Sequence, residues 1–412
     1  MEKIEYLNKL IDDFNNFHKI TLPLCAAENI LSDFCKLPLS SNLQEHYIMG
    51  SEYSYSNKNN FIGSDYLLPF YQMISQECNL LFNAKYTDAR TFTGMNCLTT
   101  LLMSLTNIGD KLLILGDEWG GHASVKEVCK RLGLEIYFLP YDFSNFDIDY
   151  EAANKLIVQH NIKYILLAPS DLQFIMDVYK FNLDSTVLLY DISQIMGLIA
   201  GKCVKSPLDY SDNIVIFGGT HKTFPGPASG LIMTNNISIH NKLDSQINPK
   251  YLRNTQMHQK VCLLYALIEM EYFGIEYAHN IIDISNILSL KLCEKHDFYI
   301  PQKEGKYSQT HQIFIYLPHK ITEVFYNNAL TLGITLNSKY KRLFNDSGIR
   351  LGTQTIARYR WNDEYTLDNI ASILSDLRYE VIDKQKIKKL MDKLPDKIIN
   401  YTFNHEIKTE NL

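Results

Sequence analysis

The sequence has no CxxC pair: its eight cysteines, at positions 25, 35, 78, 97, 129, 203, 262 and 293, are scattered, and no Cys/His group stands at metal-ligand spacing. That argues against a disulfide-stapled or zinc-organised domain and predicts reduced thiols in a cytoplasmic protein without a metal. No apolar run approaches the roughly 20 residues needed to cross a bilayer. The opening "MEKIEYLNKLIDDFNNF" carries acids and an amphipathic helical pattern, not the basic and then apolar regions of a secretory leader. A Lys/Arg stripe is also missing. With a net charge of -6, nucleic acid and anionic membrane are poor candidates for the main partner. There is no internal repeat and no low-complexity segment.

What is present is an ordinary globular composition, 46% hydrophobic and 21% charged. A chain of 412 residues exceeds one ordinary core. It predicts a large domain of roughly 250 residues with smaller flanking pieces. Short, nearly continuous apolar runs punctuate the middle: "KLLILGDE" (111–118), "EIYFLPYDF" (135–143), "KYILLAPSD" (163–171), "STVLLYDIS" (185–193), "NIVIFGG" (213–219) and "SGLIMT" (229–234). Such runs read as strands buried on both faces, and the helix-period segments between them predict an α/β fold with a mainly parallel sheet. Only a short loop separates the last two runs, which favours an antiparallel pair there. After about residue 250 a long helical stretch leads into a smaller α+β domain, and the polar tail from about 395 is expected to be poorly ordered. The expected division is 1–60 for an N-terminal helix and a Tyr-rich loop, 61–250 for the large domain, and 251–412 for the linking helix and small domain.

In open α/β sheets reactive groups collect at the carboxyl ends of strands. Ser170 follows "YILLAP", Asp191 follows "VLLY", His122 follows "LILGDEWGG", and His221 with Lys222 follows "IVIFGG". An acid, an imidazole and a lysine at successive strand ends meet the needs of pyridoxal phosphate. That cofactor takes a lysine for its Schiff base, a carboxylate for its pyridine nitrogen, a flat group over its ring and small donors for its phosphate. The competing reading of "GGTHKT" as a phosphate-binding loop fails on spacing, because His221 stands where GxxxxGK[ST] needs glycine and "FPGP" cannot begin a helix cleanly.

At these residues the sequence resembles the serine hydroxymethyltransferase family, of the aspartate-aminotransferase-like (fold type I) class. The carrying motifs are "THKTFPGP" (220–227), "AAEN" (26–29), "GGH" (120–122) and "SGIRLGT" (347–353). The resemblance implies a seven-stranded sheet with helices on both faces and pyridoxal 5'-phosphate joined to Lys222. It implies Asp191 at the pyridine nitrogen, His122 stacked on the ring, and Ser170, Ser193, Gln194 and His221 around the cofactor. Thr93, Gly94 and Met95 of "FTGMN" fall in the phosphate cup. Arg350 falls on the family's carboxylate-binding arginine, and a planar guanidinium suits a bidentate grip on an α-carboxylate. Glu52 aligns, after a one-residue shift, with the acid-base glutamate. A homodimer with shared sites is implied as well, in which Tyr55 and Arg253 reach the partner's site.

Several positions depart from the family. Asp-x-Ala-His becomes Asp191-Ile192-Ser193-Gln194, the arginine after Gly-Pro becomes Ala228, and a Gly-Gly pair is replaced around Arg253-Asn254. Leucines of the folate pterin pocket align with Asp117 and Ala123. A slot lined by a charge and a methyl grips tetrahydrofolate poorly. The expected activity is therefore cleavage or formation of the Cα–Cβ bond of a β-hydroxy-α-amino acid, with an aldehyde as the other substrate. Folate-dependent hydroxymethyl transfer, another pyridoxal-phosphate reaction (decarboxylation, racemisation or transamination) and a non-catalytic cofactor-binding homologue remain alternatives.

Overall fold

The computed structural model describes residues 1–48 and 62–403. The chain forms two compact units, Met1–Ala26 with Asn280–Asn400, and Ala27–His279 with the segment from Tyr401 on. This differs from the boundaries expected at 60 and 250. The reason is local: Leu22–Pro23 pairs in parallel with Ile334–Thr335, so the N-terminal segment belongs with the smaller unit.

The larger unit is built on seven strands: β1 (Tyr86–Asp88), β2 (Lys111–Ile114), β3 (Glu135–Phe138), β4 (Tyr164–Leu167), β5 (Val187–Asp191), β6 (Ile214–Gly219) and β7 (Gly230–Thr234). Their order is β1-β7-β6-β5-β4-β2-β3. Neighbours from β3 through β6 pair in parallel, while β7 pairs antiparallel with both β6 and β1, as the short connecting loop predicts. All residues of β4, β6 and β7 are buried, which explains their unbroken apolar sequences. β3 is different. The run at 135–143 reads as a doubly buried strand, yet β3 lies at the sheet edge with Glu135 and Phe138 exposed.

Helix α1 (Gly94–Leu105) covers one face of this sheet. Its Cys97, Leu98, Leu101, Leu102 and Leu105 recur at helical spacing and pack in one cluster with Val215, Phe217 and Ile232. Thr93 starts the helix by accepting a hydrogen bond at Oγ1 from the Asn96 N–H at 3.1 Å, and Asn96 Oδ1 accepts from the Phe92 N–H at 3.0 Å. The long helical stretch after residue 250 is one helix, α2 (Met257–His296), and the division between units falls within it. Within the described part of the tail, the Phe403 ring makes tilted and edge-on contacts with Phe34, Tyr272 and Phe273, and the Thr402 hydroxyl donates to Glu269.

In the smaller unit, β8 (Gln312–Tyr316), β9 (Asn337–Lys339) and β10 (Gly348–Gly352) form an antiparallel sheet with β10 in the centre. Among the described residues, no helix is long and apolar enough to cross a membrane.

Candidate active site

The carboxyl ends of the parallel strands bring most of the expected site residues of the larger unit into one region. Asp191 is the last residue of β5, and Oδ1 of its half-buried carboxylate accepts hydrogen bonds from the Ser193 N–H at 2.9 Å and the Ser193 hydroxyl at 2.5 Å. Ser193 Oγ in turn accepts from the Gly219 N–H at 2.8 Å, at the end of β6. Both bonds to Asp191 go to Oδ1, which leaves Oδ2 for another donor. Gln194, beside Ser193, is buried.

The first turn of α1 closes on the same place. A Cβ built on Gly94 would lie 2.9 Å from the Gly219 nitrogen and 3.3 Å from Ser193 Oγ, and one on Gly218 would lie 2.6 Å from Ser193 Oγ and 3.1 Å from Asp191 Oδ1. Only glycine permits this approach. Helix geometry leaves the N–H groups of Gly94 and Met95 without intrahelical carbonyls, and the exposed Thr93 opens this end of the helix to solvent. Such a terminus suits a phosphate.

His122 and Ser170 are linked through the backbone: the His122 N–H donates to the Ala168 carbonyl at 2.9 Å, and the Ser170 N–H to the Gly120 carbonyl at 2.7 Å. His122 Nδ1 accepts from the Ser124 N–H at 3.3 Å, so the neutral ring carries its proton on Nε2. His221 Nδ1 is buried without a hydrogen-bond partner. Burial first, and then the charge of Lys222, push the His221 pKa below the usual histidine range and keep the ring neutral at physiological pH.

Lys222 is half-buried, in a loop tied off at its base by the Thr220 N–H to the Ser229 carbonyl (3.2 Å) and the Thr220 hydroxyl to the Pro227 carbonyl (2.6 Å). Asn29 Nδ2 donates to the Lys222 carbonyl at 2.5 Å and to the Tyr277 hydroxyl at 2.8 Å. Asn29 was not among the residues assigned a role from sequence, although it closes the "AAEN" motif. Beneath the loop, the Gly197 N–H donates to Thr223 Oγ1 at 3.1 Å, and a Cβ on Gly197 would lie 2.2 Å from the Thr223 carbonyl oxygen. Gly197→Ala is expected to cost about 1–3 kcal/mol by overpacking. A lowered urea midpoint checks this, and an unchanged midpoint would refute the contact.

The remaining expected residues stand apart in the description. Arg350 belongs to the smaller unit, where it is 5% exposed and its Nε and Nη2 both donate to Asn337 Oδ1, at 3.2 and 2.6 Å. Asn337 is its cross-strand partner and holds the guanidinium plane, a role invisible without strand register. Arg253 is exposed in the segment just before α2. Glu52 and Tyr55 lie outside the described residues.

These groups fit pyridoxal phosphate. Close packing at Gly94 and Gly218 sets the first turn of α1, whose open N–H groups suit a phosphate, next to Ser193 and Asp191, whose Oδ2 can face a pyridinium N–H, and the buried His221 Nδ1 adjoins the lysine.

A model of the serine hydroxymethyltransferase family matches residues 4–374. Similar curated proteins include the serine hydroxymethyltransferase of Sulfolobus acidocaldarius, 26% identical over 420 residues, covering 98% of this chain and 95% of that protein. The serine hydroxymethyltransferase of Methanosphaera stadtmanae is 28% identical over 404 residues, covering 94% and 93%. In three dimensions the chain is similar to L-threonine transaldolase from Pseudomonas fluorescens, with a TM-score of 0.90, 22% identity, and coverage of 99% of this chain and 96% of that one. That likeness establishes the fold, and the family match extends over most of the sequence: the chain belongs to the serine hydroxymethyltransferase family.

Proposed function

We propose that this pyridoxal-phosphate enzyme makes or breaks the Cα–Cβ bond of a β-hydroxy-α-amino acid as a threonine or serine aldolase or transaldolase. When bound, the cofactor supplies an electron-withdrawing ring that stabilises negative charge at Cα. Lys222 would hold the cofactor through its amine. Arg350, its plane fixed by Asn337, grips the α-carboxylate. Asp191, fixed by Ser193, would hold a proton on the cofactor's ring nitrogen, and His122 would cover the ring. Glu52 takes the proton of the β-hydroxyl, so that the Cα–Cβ electron pair stays with Cα and the β-carbon leaves as an aldehyde. A homodimer completes the reading. It is supported by the helix Glu2–Ile20, which buries none of its residues and exposes Ile4, Leu7, Ile11 and Phe14 along one helical stripe.

The observation that favours aldolase chemistry over folate-dependent transfer is the pair Asp117 and Ala123, both exposed on the segment that carries His122. A pterin docking against that carboxylate would strip water from a charged group, which is costly. The names of the relatives support the second reading, folate-dependent hydroxymethyl transfer. Incubation of the holoprotein with L-threonine and with L-serine, each with and without tetrahydrofolate, separates the two. Equal amounts of glycine and acetaldehyde from threonine, and serine turnover unchanged by tetrahydrofolate, are the expected results. Strict dependence on tetrahydrofolate would install the second reading, and carbon dioxide release or simple racemisation would overturn both.

A further inference from the structure

Lys260 is a lysine with no part in the chemistry above, yet it is completely buried. It sits in the first turn of α2 and its Nζ donates to the Thr91 carbonyl at 2.5 Å and to Ser229 Oγ at 2.8 Å, with the Phe92 ring centroid 5.5 Å away. Thr91 and Phe92 lead directly into Thr93 and the open first turn of α1. The Thr91 carbonyl also accepts from the Gly230 N–H at 3.2 Å, and the Ser229 carbonyl accepts from Thr220, at the base of the lysine loop. One amine thus ties together the start of the phosphate-binding helix and the end of the loop that presents Lys222.

We propose that Lys260 is a positioning residue for the cofactor's phosphate: it pins Thr91 to Ser229 and supplies a positive charge behind the first turn of α1 when the phosphate dianion is bound there. The inference rests on the cofactor reading above. Two acceptors match the two N–H groups of a neutral amine, whereas an ammonium has a third to satisfy. The surroundings agree, because burial lowers the Lys260 pKa to about 7 and the pull of Asp88 opposes it only in part. The groups that face it do not replace the missing anion. Burial pushes the Cys97 thiol up to about 12, so it stays neutral, and Asp88 is already engaged by Arg90, which also bonds Asp244 at 2.9 Å. His258, on the same helix, is held neutral by burial and by Lys260 itself. A phosphate at α1 is the anion that would favour the charged lysine, so binding is coupled to proton uptake.

The test compares pyridoxal phosphate with pyridoxal, which has the same aldehyde and no phosphate, as ligands of the apoprotein from pH 6.5 to 8.5. Their affinity ratio cancels the contribution of Lys222. Lys260→Met is expected to lose about tenfold or more of the preference for the phosphorylated ligand, the scale of one charge interaction. In the wild type that preference should fall as pH rises, and in the variant it should not. Equal loss for both ligands would reduce Lys260 to a packing residue and overturn the proposal. Should the variant fail to fold, a flat pH series in the wild type would overturn it equally. Failure of the wild type to bind pyridoxal phosphate at all would instead remove the cofactor reading beneath it.

Discussion

Lys222→Ala is expected to abolish turnover of every amino-acid substrate, with a loss on the order of 10³-fold or more, because a positioned amine carries the covalent step and its effective concentration has no substitute in solution. The structure gives the amine its fixed origin. Asn29 holds the Lys222 carbonyl while the Thr220 bonds close the loop around it. Removing only the side chain leaves these backbone contacts in place, so the variant should fold. The visible absorbance band of a lysine-linked cofactor should vanish with activity while the far-ultraviolet circular dichroism is unchanged. Retention of both the band and turnover would dismiss Lys222 and, with it, the proposed chemistry.

Asp191→Asn is the second large effect. An asparagine keeps an acceptor for the Ser193 N–H and hydroxyl, so the local geometry survives while the negative charge is lost. An opposite charge at hydrogen-bond distance shifts a pKa by about 1–3 units, so the pyridine nitrogen of the bound cofactor should lose its proton near neutrality and kcat should fall about 10- to 1000-fold. Cofactor affinity should move far less than kcat. A variant with wild-type kcat at saturating cofactor would refute the assignment of Asp191 to the ring nitrogen.

The contrast between these residues and Asn29, Asn337 and Lys260 shows what could be read from one dimension. Asp191 and Ser170 stand directly at the ends of apolar runs, Lys222 and His122 a few residues beyond theirs, and an apolar run that stops at a polar residue marks the carboxyl end of a buried strand. Asn337 acquires its meaning only from a register that sets it opposite Arg350. Lys260 lies in a helical stretch whose period gives it no distinction, and its burial follows from contacts with Thr91 and Ser229, which are 169 and 31 residues away along the chain.

By itself the sequence determined the fold class, the antiparallel turn-back of the last strand, the long helix after residue 250 and the family, because these depend on local periodicity and on ordered short motifs. The tertiary structure decided that β3 lies at an edge rather than inside the sheet, that the N-terminal segment joins the smaller unit through Leu22–Pro23, and that Asp191 is oriented through Ser193 and Gly219. Those outcomes turn on which distant segments win the competition to pair their backbone groups and bury their side chains. That competition is settled by long-range contacts that no local window of the chain contains.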